Sequence, residues 1–533
     1  MIYLFFLFIF PLLITLIFMP FCAKIFVKAG KTEADAKAPI KNILVWLEII
    51  KKPKWWLLLF FLPVINYLNV YTMIVDMLIA MGEKNTWKRL LAGAIPLPFL
   101  LKYNDESWKY IGPNGVPDGK PAPKKPGWRE WTDSILYAVI AATAIRMLFF
   151  EAYTIPTSSM EKTLRVGDFL FVSKFHYGAR TPNTPIAFPF AHHTMPIFGT
   201  QAYSELINLP YYRLPGFQSV KRNDMVVFNF PAGDTLTKEY DSQIPYYDIV
   251  RQIGREATFN NYHIKTRPVD KRENYIKRCV AIAGDSLQIV NDVLYLNGVK
   301  AWESPTAQFS YLVTTNGTDF TDNLQIEYDF YDSIQVVAFA PDSSGIQMAT
   351  YSEEYKGQGL KLFRIVCSKE TIDEIKKLNN VVSAVKFPDY MANPDPMAYF
   401  PNSPLIKGWT VNNYGSLWIP KKGATIQLNP YNYACYARAI VSFEGNTLSE
   451  ENGKYILNGQ AATSYTFKMD YYWMMGDNRN NSQDSRYWGY VPEDHVVGKA
   501  WVIWLSLDKL KSLPGNIRLS RIGTFVHSKY VPK

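Results

Sequence analysis

Cysteine and histidine are scarce in this chain. Four cysteines, Cys22, Cys279, Cys367 and Cys435, stand far apart among 533 residues and form no C-x-x-C pair, so zinc ribbons and thioredoxin-type redox chemistry find no support. They read as structural; a bridge among the last three, which would leave one of them over, stays open. The six histidines contain no H-E-x-x-H pair. His192-His193 lies in a Pro/Phe-rich loop with no Asp or Glu close in sequence, so no metal is expected. Neither an internal repeat nor a low-complexity block is present, which excludes solenoids and arrays.

Charge is missing altogether from Met1 to Ala23. That run is long enough to cross a hydrocarbon core of about 30 Å as a helix. It lacks the basic start of a cleaved leader, and Cys22 follows no small-residue lipobox, so an anchor is expected. Further uncharged runs cover Trp55 to Val75, Leu90 to Leu101 with Pro96 and Pro98 inside it, and Ser134 to Phe150 with Arg146 near its end. An arginine there reaches the headgroups with its long stem.

The connector Lys24 to Lys54 carries eight Lys and no Arg, and Lys102 to Asp133 carries five Lys and one Arg. Both belong on the cytoplasmic side by the positive-inside rule. An even number of crossings must then separate them, so either Leu90 to Leu101 crosses or the rule fails here; the anchor has three or four crossings, and with four everything after Phe150 is external. The net charge of +10 thereby has a topological explanation, and nucleic acid is not expected as a partner. Pro113, Pro117, Pro121, Pro123 and Pro126 make the second connector an extended linker.

Beyond Phe150, short β-branched and aromatic runs, Phe169 to Val172, Met225 to Phe230 and Trp501 to Leu505, are bounded by Gly, Asp and Pro and read as buried strands. Asn297-Gly298 and Asn458-Gly459 signal tight hairpins. Thr371, with Glu374 three residues on, offers a capping box for a helix reaching about Leu378. Asp168 and Asp285 follow glycines at strand ends and read as turn residues.

Directly after the last apolar run comes Tyr153-Thr-Ile-Pro-Thr-Ser-Ser-Met160, then Glu-Lys-Thr-Leu164. Arg222-Asn-Asp-Met-Val-Val-Phe-Asn-Phe-Pro231, Tyr275-Ile-Lys-Arg-Cys-Val280 and Gly476-Asp-Asn-Arg-Asn-Asn-Ser-Gln-Asp-Ser-Arg-Tyr-Trp-Gly489 follow. These four stretches, in this order, resemble the motif boxes of type I signal peptidases, over roughly residues 133 to 233, 272 to 302 and 454 to 506. The resemblance implies a serine endopeptidase of the bacterial inner membrane, with its catalytic domain on the periplasmic side. Its substrates would be exported preproteins cut after small residues of the Ala-x-Ala type; its other partner is the lipid bilayer, and no cofactor is implied. It implies Ser159 as nucleophile and Lys277 as general base. Ser482 matches a serine that hydrogen-bonds the lysine amine, and Asp484 and Arg486 match a supporting ion pair. The oxyanion donors would be the Ser159 amide and the Thr157 hydroxyl, where other members carry Ser or Gly. Tyr153, Ile155, Met160, Leu164 and Ile276 match the apolar walls of the substrate pockets, and equally suit core packing.

The chemistry demands such a partnership independently. A serine hydroxyl is a poor nucleophile without a base, and lysine is a base only when neutral. With a free pKa of about 10.4, a lysine working near neutrality needs a depression of roughly 2 to 3 units, which burial among apolar groups supplies. Ile276, Val280 and Ile282 furnish that setting, while strand alternation turns Arg278 to the other face, where it can stay wet.

Glu161-Lys162 stands where many members have a proline two residues after the Ser-Met pair. Ser159-x-x-Lys162 is therefore a formal S-x-x-K, the signature of penicillin-binding proteins, although no companion K-[ST]-G triplet occurs. Asn480 replaces an acidic residue common in the last box. The expected fold is a mainly β catalytic domain of signal-peptidase type with an extra β-rich region, preceded by α-helical transmembrane segments. The expected divisions are an anchor region 1–133, a last span 134–150, a first catalytic part 151–302, an inserted β-rich region 303–453 and a second catalytic part with the tail, 454–533.

Overall fold

A computed structural model describes residues 10–61, 65–117, 120, 126–321, 324–336, 359–387, 395–512 and 514–527. The chain forms two units, Met1–Ala144 and Ile145–Lys533.

The first unit is helical. Lys41–Ile49 and Ile65–Ala80 bury Ile43, Trp46, Leu47, Met73, Ile74, Met77 and Leu78 in one core, and the Trp46 indole N–H donates to Met73 O at 3.2 Å. The apolar runs do not map one to one onto helices. Of Met1 to Ala23 the first nine residues lie outside the described ones, and Phe10–Phe21 is helical. Trp55 to Val75 is a 3-10 helix, Lys54–Phe61, followed by Ile65–Ala80.

The third run is a correction. It is broken into Thr86–Ala94 and Pro96–Tyr103, with Ile95 at φ −129°, ψ 78°. A residue before proline is pushed out of the helical region, because the proline ring crowds its backbone. Helices of nine and eight residues are about 12–14 Å long and fall well short of a bilayer core. The helix that four crossings require at Leu90 to Leu101 is thus not formed. Among the described residues, Glu130–Leu148 is the one helix long and apolar enough to cross a membrane.

The second unit is built on an antiparallel sheet whose strands are β1 Phe150–Thr154, β2 Asp168–Ser173, β3 Met225–Asn229, β4 Asn274–Ala281, β5 Tyr471–Met475, β6 Val491–Pro492, β7 Val496–Ser506 and β8 Thr524–Phe525. Their order is β1-β2-β7-β3-β4-β5-β6, with β8 also on β7. The expected strands Phe169 to Val172 and Trp501 to Leu505 fall within β2 and β7, and Met225 to Phe230 overruns β3 by one residue. All five β3 residues are buried because both sheet faces are covered. Alternate β3 side chains enter different cores: Met225 and Val227 join Ile155, Met160, Leu164 and Leu170, whereas Val226 and Phe228 join Tyr177, Cys279, Met474 and Trp488.

Between β4 and β5 the chain adds further sheets. One pairs Tyr414–Trp418, Ser286–Val290, Val293–Leu296 and Val299–Lys300; another pairs Gln335–Val336, Lys361–Ser368, Gln308–Thr315 and Val381–Lys386. Both Asn-Gly hairpins form, with positive φ at Asn297 (53°), Gly298 (79°), Asn458 (50°) and Gly459 (80°). That double left-handed geometry matches the strand twist and suits Asn-Gly best. The expected helix spans Lys369–Ile375, and its cap is Ser368, whose side chain accepts from Thr371 N, not Thr371 itself. The four cysteines are buried free thiols.

Candidate active site

After β1 the chain turns outward through Thr157, which is extended and exposed, into a single 3-10 turn Ser158–Met160. Met160, Leu164 and Val166 are fully buried and anchor the loop, so Ser159 is presented at its crest. Gly167, at φ +89°, closes the loop where a Cβ would come within 1.9 Å of Leu507 O; only glycine fits. β4 supplies Lys277, paired opposite Val226. Its Nζ lies 2.9 Å from Ser159 Oγ and donates to Ile276 O at 3.1 Å. Lys277 is 5 % exposed. Burial pushes its ammonium down from 10.5 to about 8, against the opposing pull of the Asp484 carboxylate.

The loop after β5 closes over this pair. Asp484 accepts from Arg486 Nε at 2.9 Å and Nη2 at 2.8 Å, and from the Gly476 amide at 3.1 Å, all buried. A Cβ on Gly476 would lie 2.3 Å from Ser482 Oγ and 2.5 Å from Ser159 O, so three backbone-close groups meet there. Ser482 Oγ, buried, has no hydrogen-bond partner among the described residues and does not reach Lys277. That departs from the expected serine–lysine bond: Lys277 Nζ is directed to Ser159 Oγ and Ile276 O, while Ser482 packs on Gly476.

Residues 128–329 and 425–505 match the family described as signal peptidase, peptidase S26. The chain belongs to the signal peptidase family. With that membership it is a serine endopeptidase. It is 24% identical over 386 residues to signal peptidase I of Buchnera aphidicola from Acyrthosiphon pisum, covering 72% of this chain and 78% of that protein. Signal peptidase I of Haemophilus influenzae is 24% identical over 404 residues, 74% of each chain. A stretch of 36 residues is 64% identical to signal peptidase I of Aquifex aeolicus, 7% of this chain and 14% of that one. Residues 35–113 match a family of unknown function, DUF5684.

Within this signal peptidase fold, Arg278 is not wet. It is 1 % exposed, and its guanidinium donates to Asp477 Oδ1 at 2.7 Å and Oδ2 at 2.6 Å. The face opposite Lys277 is covered by protein, so strand alternation moved Arg278 to another interior. Asp477 also accepts the Thr163 hydroxyl at 2.6 Å, tying β4, the serine loop and the last box together. Arg278→Met strands a buried carboxylate and is expected to cost about 3–5 kcal/mol, whereas Lys376→Met, which breaks an exposed pair with Asp373, costs under about 1 kcal/mol. Denaturant unfolding of the two variants side by side checks the difference.

Tyr153, Ile155, Met160, Leu164 and Ile276 meet in one apolar cluster beside Ser159. Lys162 points elsewhere: its Nζ donates to Asp329 at 2.8 Å. Glu161, not anticipated as a buried acid, is 4 % exposed and accepts the Val166 amide, and burial raises its carboxyl to about 7. His193 does have a carboxylate beside it in space, Glu273 at 2.9 Å. Asp285 is a turn residue that accepts the Ile282 amide at 3.0 Å and also pairs with Arg222. Asp168 is more than one, since it is fully buried and ion-paired with Arg521. Asn480 accepts the Ser310 amide at 2.9 Å, joining the last box to the added sheet.

Proposed function

We propose that this chain removes N-terminal signal peptides from exported preproteins, cleaving after small residues of the Ala-x-Ala type with a Ser159/Lys277 dyad. The 2.9 Å approach of a buried amine, depressed to about 8, to the Ser159 hydroxyl carries the reading. Neutral Lys277 takes the Ser159 proton as Oγ attacks the scissile carbonyl. The Ser159 amide and Thr157 hydroxyl stabilise the oxyanion. Protonated Lys277 then gives its proton to the leaving amine, and the neutral amine activates water to release the acyl-enzyme. Asp484 and Arg486 hold the closing loop, with Ser482 packed at its crest. The wall of Tyr153, Ile155, Met160, Leu164 and Ile276 receives the small side chains of an extended signal-peptide C-region. The helix Glu130–Leu148 anchors the enzyme in a bacterial inner membrane, with the second unit on the periplasmic side.

The S-x-x-K alternative would make Lys162 the base. Its ion pair with Asp329 engages the amine away from Ser159, which disfavours that role. Lys162→Ala is expected to keep kcat/KM within about 3-fold of the parent, in line with loss of a partly exposed pair. Incubation of a synthetic Ala-x-Ala preprotein with detergent-solubilised enzyme, followed by N-terminal sequencing of the product, tests the proposal. A cut after the second alanine supports it; no cut, or a dead Lys162→Ala, overturns it.

A further inference from the structure

The added sheets reach back to the serine loop. Residues 329–332 lie between the helix Leu324–Glu327 and the strand Gln335–Val336, and Gln325 Nε2 steadies them by donating to Asp332 O at 2.7 Å. Two carboxylates in this segment grip the loop at separate places. Asp329 pairs with Lys162 and Arg165. Asp332 accepts the Ser158 hydroxyl at 2.6 Å and Asn478 Nδ2 at 2.5 Å. Asp332 lies just beyond the stretch that matches the family, which ends at 329.

We propose that Asp332 is a positioning residue that acts through Asn478 and Ser158 to aim the Ser159 backbone N–H at the substrate oxyanion. The inference rests on the proposed role of that amide as an oxyanion donor. Ser158 C=O and Ser159 N–H belong to one planar trans peptide, so they point in opposite directions. Whatever fixes the carbonyl fixes the amide. Asn478 Nδ2 donates to Ser158 O at 3.2 Å, and the Asn478 backbone amide donates to Ser159 O at 3.1 Å. The two hydrogens of Asn478 Nδ2 thus serve Ser158 O and Asp332. Both of these are acceptors, and a flipped Asn478 amide would set its oxygen against a carboxylate and a carbonyl together. Asp332 therefore selects the amide orientation that grips the Ser158 carbonyl. Its second oxygen takes the Ser158 hydroxyl, whose oxygen in turn accepts from Asn481 Nδ2 at 3.3 Å. The pattern is a carboxylate holding the groups that hold the reacting loop, in the way outer partners orient ligands at other catalytic centres.

The test uses the full-length detergent-solubilised enzyme and the Ala-x-Ala preprotein. Asp332→Ala is expected to lower kcat about 10–100-fold, the range for loss of an outer orienting group, with KM unchanged. Affinity for an Ala-x-Ala peptide boronate, which forms a tetrahedral adduct with Ser159, falls by a similar factor, while affinity for a non-cleavable ground-state peptide does not move. Asp332→Asn, which keeps volume and one acceptor oxygen, retains an intermediate rate. Adding Asp332→Ala to Asn478→Ala produces less than about a 2-fold further loss, because both act on one carbonyl. Unchanged kcat in Asp332→Ala, a change confined to KM, or a fully multiplicative double variant overturns the inference. If Ser159→Ala cleaves normally in the same assay, the underlying function fails; a dead Ser159→Ala beside a fully active Asp332→Ala sinks the positioning role alone.

Discussion

Ser159→Ala and Lys277→Ala are each expected to lower kcat/KM for an Ala-x-Ala preprotein by at least about 10⁴-fold, and the double variant to be little worse than either. Nucleophile and base act as a unit, so removing one already forfeits what the other contributes. Lys277→Arg sharpens the result. A guanidinium preserves the charge and most of the length but cannot become neutral in a protein. If Lys277 served only as a fixed positive charge, Lys277→Arg would retain substantial activity; as a base it must be as inactive as alanine. Product formation over hours, normalised to folded protein by near-ultraviolet circular dichroism, separates these outcomes. Activity of Lys277→Arg within about 10-fold of the parent would remove the lysine from its proposed role, since a positioned base is worth about 10²–10⁴.

The serine and the lysine are 118 residues apart in sequence, yet both were legible because each sits in a short, strongly patterned segment. Met160 and Leu164 bury the serine loop, and the alternation of β3 and β4 fixes where the lysine emerges. Hairpins were equally legible, since Asn-Gly is nearly a direct statement of backbone geometry. What escaped was of another kind. Alternation correctly puts Arg278 on the face away from Lys277, but says nothing of what covers that face; here it is Asp477. The capping pattern at Thr371 to Glu374 located a helix, yet Ser368, three residues earlier, also satisfies an N-cap and ends the preceding strand. A short helix such as Pro430–Arg438 is held by tertiary packing and leaves little periodic trace.

The run Leu90 to Leu101 is interrupted for a local reason. Hydrophobic content alone treats Leu90 to Leu101 as a segment, but Pro96 divides it into helices too short to span. The clasp of Asp332 on Ser158 was illegible for the opposite reason: the partners are 174 residues apart, and the acid stands in a segment outside the family match. No period or motif connects them, and only the folded added sheet brings them together.

Cleavage should rise with pH about tenfold per unit up to a bend near 8, because only the neutral amine of Lys277 accepts the Ser159 proton. The same shift has a consequence for stability. The unfolded chain holds the Lys277 proton until about 10.5, whereas the folded enzyme releases it near 8. Below pH 8 the fold therefore carries the full penalty of burying an ammonium; the penalty shrinks as pH rises from 8 to 10.5 and vanishes above that. Each unit is about 1.4 kcal/mol, which puts the penalty at about 3 kcal/mol at pH 7. Lys277→Met removes the charge while keeping much of the volume, and forfeits hydrogen bonds to Ser159 and Ile276. It is expected to be more stable than the parent by about 1–3 kcal/mol at pH 7, and to lose that advantage toward pH 10.5. Thermal melts of both proteins across that interval provide the check. A lead that does not shrink between pH 7 and 10.5 would mean that the folded site leaves Lys277 as solvated as the free side chain, and the bend in the cleavage profile would then have to come from another group.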